Sequence, residues 1–298
     1  MADTAQPTAQ ASGTLTLGGD LKVYRLGLGG MRITGEGIWG PPENKQEAIA
    51  LLHRALELGI NLIDTADSYG PEVSESLIAE ALYPYPQGLV IATKGGLLRT
   101  GPGQWPADGS PEHLREALEG SLRRLRVERI DIYQFHRPDP KVPFEDSVGE
   151  IAKMRAEGKI RHVGLSNITL DELARAQKIV PIVTVQNRYN LAHRESERMT
   201  VSQSEEMIDT CARQGIGFIP WSPLAMGELA RAGSSLDQIA KRHNALPNQI
   251  ALAWLLQRSS TILPIPGTSS VKHLEENVAG ATIKLSQEEF DAIDKSSK

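Results

Sequence analysis

In this 298-residue chain, six apolar runs end in side chains that can do chemistry. The run NLIDTA reaches Asp64, with Tyr69 five residues further on. LVIATK ends in Lys94, IDIYQFH in His136 and KIRHVGLSN in Ser166 and Asn167. IVTVQN ends in Gln186 and Asn187, and GFIPWS in Trp221 and Ser222. A buried Asp or Lys is costly alone and tolerable as a pair, so Asp64 and Lys94 on neighbouring runs are expected to meet. An ammonium beside a phenol stabilises phenolate and draws the phenol down from its ordinary value of ~10. Tyr69 is thereby a candidate proton donor, and His136 is placed to hydrogen-bond the same acceptor oxygen. Each residue alone has an ordinary reading as a cap, a snorkelling lysine, a core histidine or a packing ring. Four together at three adjacent run ends point to a site.

The elements that must position them alternate. The runs at 25–30, 61–66, 89–94, 130–136, 159–167, 182–187, 217–222 and 261–267 read as strands buried on both faces. Between them lie helical periods such as Ala48, Leu51, Leu52, Ala55 and Leu58, or Leu114, Leu118, Leu122 and Leu125. Ser110-Pro111, Thr169 with Glu172 and Ser286 with Glu289 mark helix starts. Gly59, Gly158 and Gly215 mark helix ends. Eight β/α units predict a closed parallel (β/α)8 barrel, an α/β TIM barrel, whose chemistry gathers at the C-terminal ends of the strands. Runs 14–17 and 21–24 flank Gly18-Gly19-Asp20 and predict an N-terminal hairpin over the barrel bottom. Residues 1–13 read as a flexible tail, and 14–298 as one barrel domain. A doubly wound sheet is the runner-up, but Gly27-Leu28-Gly29-Gly30-Met31-Arg32 lacks the third glycine of its dinucleotide fingerprint.

Composition narrows the function. With 40% hydrophobic and 23% charged residues and a net charge of −5, the chain can build a core and offers no basic excess for nucleic acid. No run is long enough for a membrane span, and the first residues lack a signal-peptide pattern. With the single Cys211 the expectation is a cytoplasmic protein without a disulfide. No two of the seven histidines share a metal-ligand spacing on one element, and no G-x-S-x-G elbow is present.

The segments IDTADSYG, IATK, DIYQFHRPD, GLSN, VQN, PWSPL and IPGTSSVKHLEEN, in that order, resemble the aldo-keto reductases over residues 14–295 or so. TGEGIWGPPEN and the 69–86 stretch resemble a bacterial branch that includes pyridoxal reductases. The resemblance implies reduction of aldehydes and ketones with a nicotinamide cofactor, NADPH or else NADH, bound without a Rossmann fold. It implies Tyr69 as general acid, Lys94 lowering its pKa, Asp64 holding Lys94 and His136 orienting the carbonyl. Ser166, Asn167 and Gln186 would hold the carboxamide, and Trp221 would stack beneath the nicotinamide ring. Ser222, Pro223 and Leu224 would follow the pyrophosphate, with Gly30 and Met31 bordering it. Gly267 and Thr268 would contact the adenosine phosphate at a helix N-terminus, Lys272 or His273 adding charge, and Glu276 and Asn277 the adenine. The chain departs from many members, some of which carry lysine at Gly267 and arginine at His273.

Substrate selection is expected from the rim loops, with candidates Ile33, Trp39, Trp105, Arg137, Arg188, Tyr189 and Met226. The two arginines would attract an anionic substrate or form structural salt bridges. With one helix after residue 285, an open site for aromatic or heterocyclic aldehydes such as pyridoxal is expected. The partner is then a small-molecule carbonyl compound, with neither nucleic acid nor membrane; the oligomeric state stays open. The competing readings are a cofactor-binding regulatory protein resembling channel β-subunits, and a metal-dependent barrel hydrolase.

Overall fold

The computed structural model describes residues 6–225 and 234–296. A hairpin of β1 (Thr14–Leu17) and β2 (Leu21–Tyr24) precedes the barrel. Seven strands then pair in parallel in chain order: β3 (Leu28–Gly29), β4 (Leu62–Asp64), β5 (Val90–Gly95), β6 (Ile130–Phe135), β7 (Ile160–Ser166), β8 (Ile182–Arg188) and β9 (Gly217–Trp221). The eighth run closes the ring without becoming a regular strand. Leu263 N donates to Phe218 O at 2.8 Å, and Gly27 N donates to Pro264 O at 3.0 Å, so residues 261–265 bond to both ends of the sheet. Pro264 and Pro266 lack the N–H groups a continuous ladder needs. The predicted barrel is therefore present, its last strand shortened by two prolines.

The helices pack outside: α1 (Lys45–Glu57), α2 (Val73–Leu82), α3 (Pro111–Leu125), α4 (Phe144–Ala156), α5 (Leu170–Ala176) and α6 (Val201–Gln214). Then follow α7 (Ser235–Arg242), α8 (Pro247–Arg258), α9 (Val271–Gly280) and α10 (Gln287–Ser296). Leu114, Leu118, Leu122 and Leu125 are all buried on one face of α3, as their spacing predicts. Ser110 accepts from His113 N ahead of Pro111, and Thr169–Glu172 forms a reciprocal capping box. A second helix between β9 and the last run, α7, adds to the simple alternation. It starts at Ser234, whose hydroxyl accepts from Asp237 N.

The hairpin plugs the barrel bottom. Leu17, Leu21 and Val23 form one buried cluster with Leu62, Val90, Ile132, Ile219 and Leu263 from the strands. At its tip Asp20 takes His162 Nε2 at 2.6 Å and Arg161 Nη2 at 2.8 Å, and these bonds hold its carboxyl below the ordinary range. Residues 9–12, expected within a flexible tail, instead form a docked turn. Ala9 is buried and its N–H donates to Leu58 O at 2.8 Å, because the end of α1 leaves that carbonyl without a helical partner.

Leu17 is fully buried in this plug. Leu17→Ala is expected to lower the unfolding free energy by about 2–5 kcal/mol, read from urea denaturation. A loss under ~1 kcal/mol would show that the hairpin is not part of the core.

Candidate active site

Strand register sets the centre of the site. β4 places Asp64, β5 places Lys94 and β6 places His136 at its end, all opening on the C-terminal mouth of the barrel. Asp64 and Lys94 are almost wholly excluded from solvent, at 1% and 0% exposure. Lys94 Nζ donates to Asp64 Oδ1 at 2.5 Å and to Thr65 O at 2.9 Å, and lies 3.4 Å from Tyr69 Oη. The second Asp64 oxygen accepts from Gln134 Nε2 and Gln186 Nε2, both at 2.8 Å. The predicted pair thus exists, with a tyrosine at its open side.

Burial decides the protonation states. It pushes Tyr69 up; the Lys94 ammonium pulls the other way, and the Asp64 carboxylate adds to the rise. The net direction is above the ordinary phenol value, which corrects the expectation of a lowered pKa. Burial also opposes charge on Lys94, but Asp64 and Tyr69 outweigh it and hold the ammonium above its usual value. His136 is pushed well below the usual imidazole range by burial, then by Lys94 and Arg137. The centre therefore holds a neutral phenol, a charged amine and a neutral imidazole near pH 7. The His136 ring lies edge-on to Tyr69 at 5.9 Å, with Nδ1 3.4 Å from Ser68 Oγ.

A cavity of about 790 Å³ runs from this centre across the ends of β7, β8, β9 and the last run to α9. Its wall includes Asp64, Tyr69, His136, Ser166, Asn167, Gln186, Trp221, Ser222, Pro223 and Leu224. It continues along Gly267, Thr268, His273, Glu276 and Asn277. Met31, Trp105 and Arg137 complete the predicted residues on it, and Lys94 lies buried behind Asp64 and Tyr69. Two of the amides are already engaged. Asn167, at φ 57°, donates to His136 O at 3.0 Å and accepts from Trp221 Nε1 at 3.0 Å, while Gln186 donates to Asp64.

Other expected residues fall elsewhere. Gly30 is not on the wall, where Gly29 stands instead; a side chain at Gly30 would collide with Ser74 Oγ, so its smallness serves packing. Lys272 points outward at 81% side-chain exposure, 3.8 Å from Glu276. Ile33 is buried and borders a neighbouring cavity of about 610 Å³. Trp39 leaves the cavity to stack on Arg99. Tyr189 is fully buried, stacked on Trp254 at 5.8 Å and bonded to Glu205. Arg188 faces Glu195 at 3.8 Å, and Arg137 meets Glu197 at 3.2 Å, so the salt-bridge reading holds for both. Met226 lies outside the described residues.

The sequence reading missed Gln134, a polar residue two positions before His136 and so on the same face of β6. It missed Arg32, Leu97, Glu197, Leu246, Asn248 and Gln249 on the wall. These come from loops and helix ends, where no period marks them. Cys211 is buried as expected, its thiol pushed up to about 12 by burial. No group of three metal-ligating side chains occurs among the described residues.

Behind the Tyr69 loop sits a second buried carboxyl. Burial and the nearby Glu75 push Asp67 up to about 8, and its Oδ1 has no hydrogen-bond partner. Unfolded, the same group titrates near 3.8, so the folded state binds its proton more tightly. The stability it contributes is full below that value and is lost as the pH rises through about 8. Asp67→Asn is therefore expected to flatten the fall of Tm between pH 6 and pH 9, followed by circular dichroism. Parallel Tm curves for variant and parent would contradict the assignment.

Comparison with known proteins shows the family. The model of the Aldo/keto reductase family matches residues 25–298. An uncharacterized oxidoreductase of Schizosaccharomyces pombe is 53% identical over 290 residues, covering 97% of this chain and 92% of that one. Pyridoxine 4-dehydrogenase of Escherichia coli is 43% identical over 291 residues, 95% of this chain and 98% of that one. The crystal structure of an aldo-keto reductase from Klebsiella pneumoniae in complex with NADPH superimposes with a TM-score of 0.77 at 26% identity, covering 95% and 94% of the two chains.

Proposed function

The chain belongs to the aldo/keto reductase family, and we propose that it reduces aromatic and heterocyclic aldehydes, pyridoxal among them, with NADPH, using Tyr69 as the acid. Its class, an NAD(P)H-dependent oxidoreductase acting on small carbonyl compounds, follows from the family and from the named relatives. The observation that carries the finer reading is the Lys94–Tyr69–His136 cluster opening into a cavity of about 790 Å³ whose wall continues to α9. The pyridoxine 4-dehydrogenase relative supports pyridoxal as a substrate, and the Klebsiella complex supports NADPH.

The residues fit such a cofactor. The cavity passes Trp221, an aromatic residue suited to a flat ring, and continues to the first turn of α9, whose uncapped N–H groups suit phosphate. Ser166, Asn167 and Gln186 would hold the carboxamide. The Asn167 amide is engaged, the Ser166 hydroxyl accepts from Asn167 Nδ2 at 3.1 Å and keeps its own proton to donate, and Gln186 donates to Asp64. Ser222 to Leu224 would border the pyrophosphate, Gly267, Thr268 and His273 the adenosine phosphate, and Glu276 and Asn277 the adenine. When bound, the nicotinamide supplies the hydride.

The protein's own part is proton supply and alignment. Tyr69 keeps its proton because burial disfavours phenolate, and it releases that proton beside an ammonium that stabilises the anion left behind. His136, neutral, offers a second hydrogen bond to the carbonyl oxygen without competing for the proton. Asp64 keeps Lys94 charged and fixed, which holds the anion-stabilising charge 3.4 Å from Oη. All four groups are buried, so each has little contact with solvent.

Tyr69→Phe is expected to lower turnover by about 10²–10⁴-fold, the usual worth of a positioned acid, measured as loss of NADPH absorbance with an aldehyde panel. NADPH affinity, followed by quenching of intrinsic fluorescence, should change less than about threefold, since the phenol only adjoins the ring site. Turnover equal to the parent's would overturn the assignment. The same panel run with NADH measures the cofactor preference.

A further inference from the structure

Arg99 follows β5 and has no part in the chemistry above, yet its side chain gathers the rim. Nη1 donates to Ile38 O at 2.8 Å and to Ser68 O at 2.9 Å, Nη2 to Gly37 O at 3.3 Å, and Nε to Gln104 O at 3.1 Å. These carbonyls belong to three different loops, those after β3, β4 and β5. The flat face of the guanidinium lies 3.6 Å from the centre of the Trp105 ring and 5.3 Å from that of Trp39. No carboxylate pairs with it among the described residues. A cation without a counter-ion, four of whose five N–H donors serve loop carbonyls, is a brace.

Its two ends reach the site. Trp105 lines the cavity and meets Tyr69 edge-on at 6.4 Å. Ser68 directly precedes Tyr69 in sequence, and its hydroxyl lies 3.4 Å from His136 Nδ1. One planar group thus sets the apolar wall on one side of the acid and the backbone carrying it on the other. Only a guanidinium offers a flat stacking face and a rigid fork of donors at once; an ammonium offers neither.

We propose that Arg99 is a positioning residue that fixes Trp105 as the aromatic wall of the substrate end, so that flat aromatic aldehydes are favoured over small aliphatic ones. A wall ordered before the substrate arrives spares the cost of ordering it on binding. Trp39, on the outer face of the same guanidinium, acts through Arg99 rather than on the substrate. The inference rests on the reductase reading of the cavity.

The test compares benzaldehyde with propanal in the parent, Arg99→Met and Arg99→Lys. Arg99→Met is expected to raise KM for benzaldehyde about tenfold while KM for propanal stays within about twofold, any fall in kcat from the released Ser68 backbone being shared by both aldehydes. Arg99→Lys should behave like the Met variant, because charge alone cannot hold four carbonyls. Equal KM shifts for both aldehydes, or full recovery by lysine, would overturn the proposal. A parent that reduces neither aldehyde with NADPH or NADH refutes the reductase reading and leaves the brace to a second measurement. There the ¹⁹F resonance of 5-fluorotryptophan at position 105, assigned through Trp105→Phe, should shift and broaden in Arg99→Met; an unchanged line would refute the brace itself.

Discussion

A positive charge with no access to water is the constraint around which the barrel mouth is built. Lys94 has 0% exposure, and burying an ammonium is tolerable only if its three donors are met. Asp64 and the Thr65 carbonyl take two of them, and Tyr69 faces the third. Asp64 in turn would be an orphan anion on its far side without Gln134 and Gln186. Removing one member of such a pair typically costs about 3–5 kcal/mol, because the other is left charged and dry. The strand ends from β4 to β8 are therefore tied into one polar unit, and the chemistry borrows a charge that the fold already has to hold.

In the proposed reaction, that arrangement also governs how Tyr69 would work as the acid. An exposed Lys–Tyr contact would give a phenol close to its ordinary pKa, with ammonium and solvent sharing the stabilisation. Here burial and the Asp64 carboxylate outweigh the ammonium, so the phenol is held protonated in the resting site. The lysine matters at the moment the proton leaves, when the developing phenolate finds a fixed charge and needs no solvent to reorganise. His136 follows the same logic in reverse: dry and next to cations, it stays neutral and would not take the proton that Tyr69 delivers in the proposed reaction.

Much of this was legible in the sequence because strands read as apolar runs and barrels put chemistry at their ends. The Asp64–Lys94–Tyr69–His136 grouping needed only that rule and chain order. The direction of the Tyr69 shift was not legible, since it depends on how completely the ring is buried, a sum over residues from several strands. Tyr189 follows Arg188 at a strand end like the residues that line the cavity, yet it turns into the core against Trp254. Nothing local distinguishes the two outcomes. The last strand was readable as a run but not as an interrupted ladder until Pro264 and Pro266 were set against its neighbours.

The rim obeys a different rule from the floor. Below, one buried charge is satisfied by side chains on strands, and distances are set by register. Above, loops of irregular backbone carry carbonyls with no ladder to join, and arginines collect them or the acids beside them: Arg99 across three loops, Arg198 on Glu172 and Asn167 O. Arg137 and Arg188 are each faced by a glutamate of one loop, Glu197 and Glu195, so they close the mouth as much as they charge it. An anionic substrate would have to displace those carboxylates, whereas a neutral aromatic one meets Trp105 at no electrostatic cost. The proposed preference for flat neutral carbonyls would then follow from how the loops are stapled, and it would change with the staples while the floor kept the same arrangement.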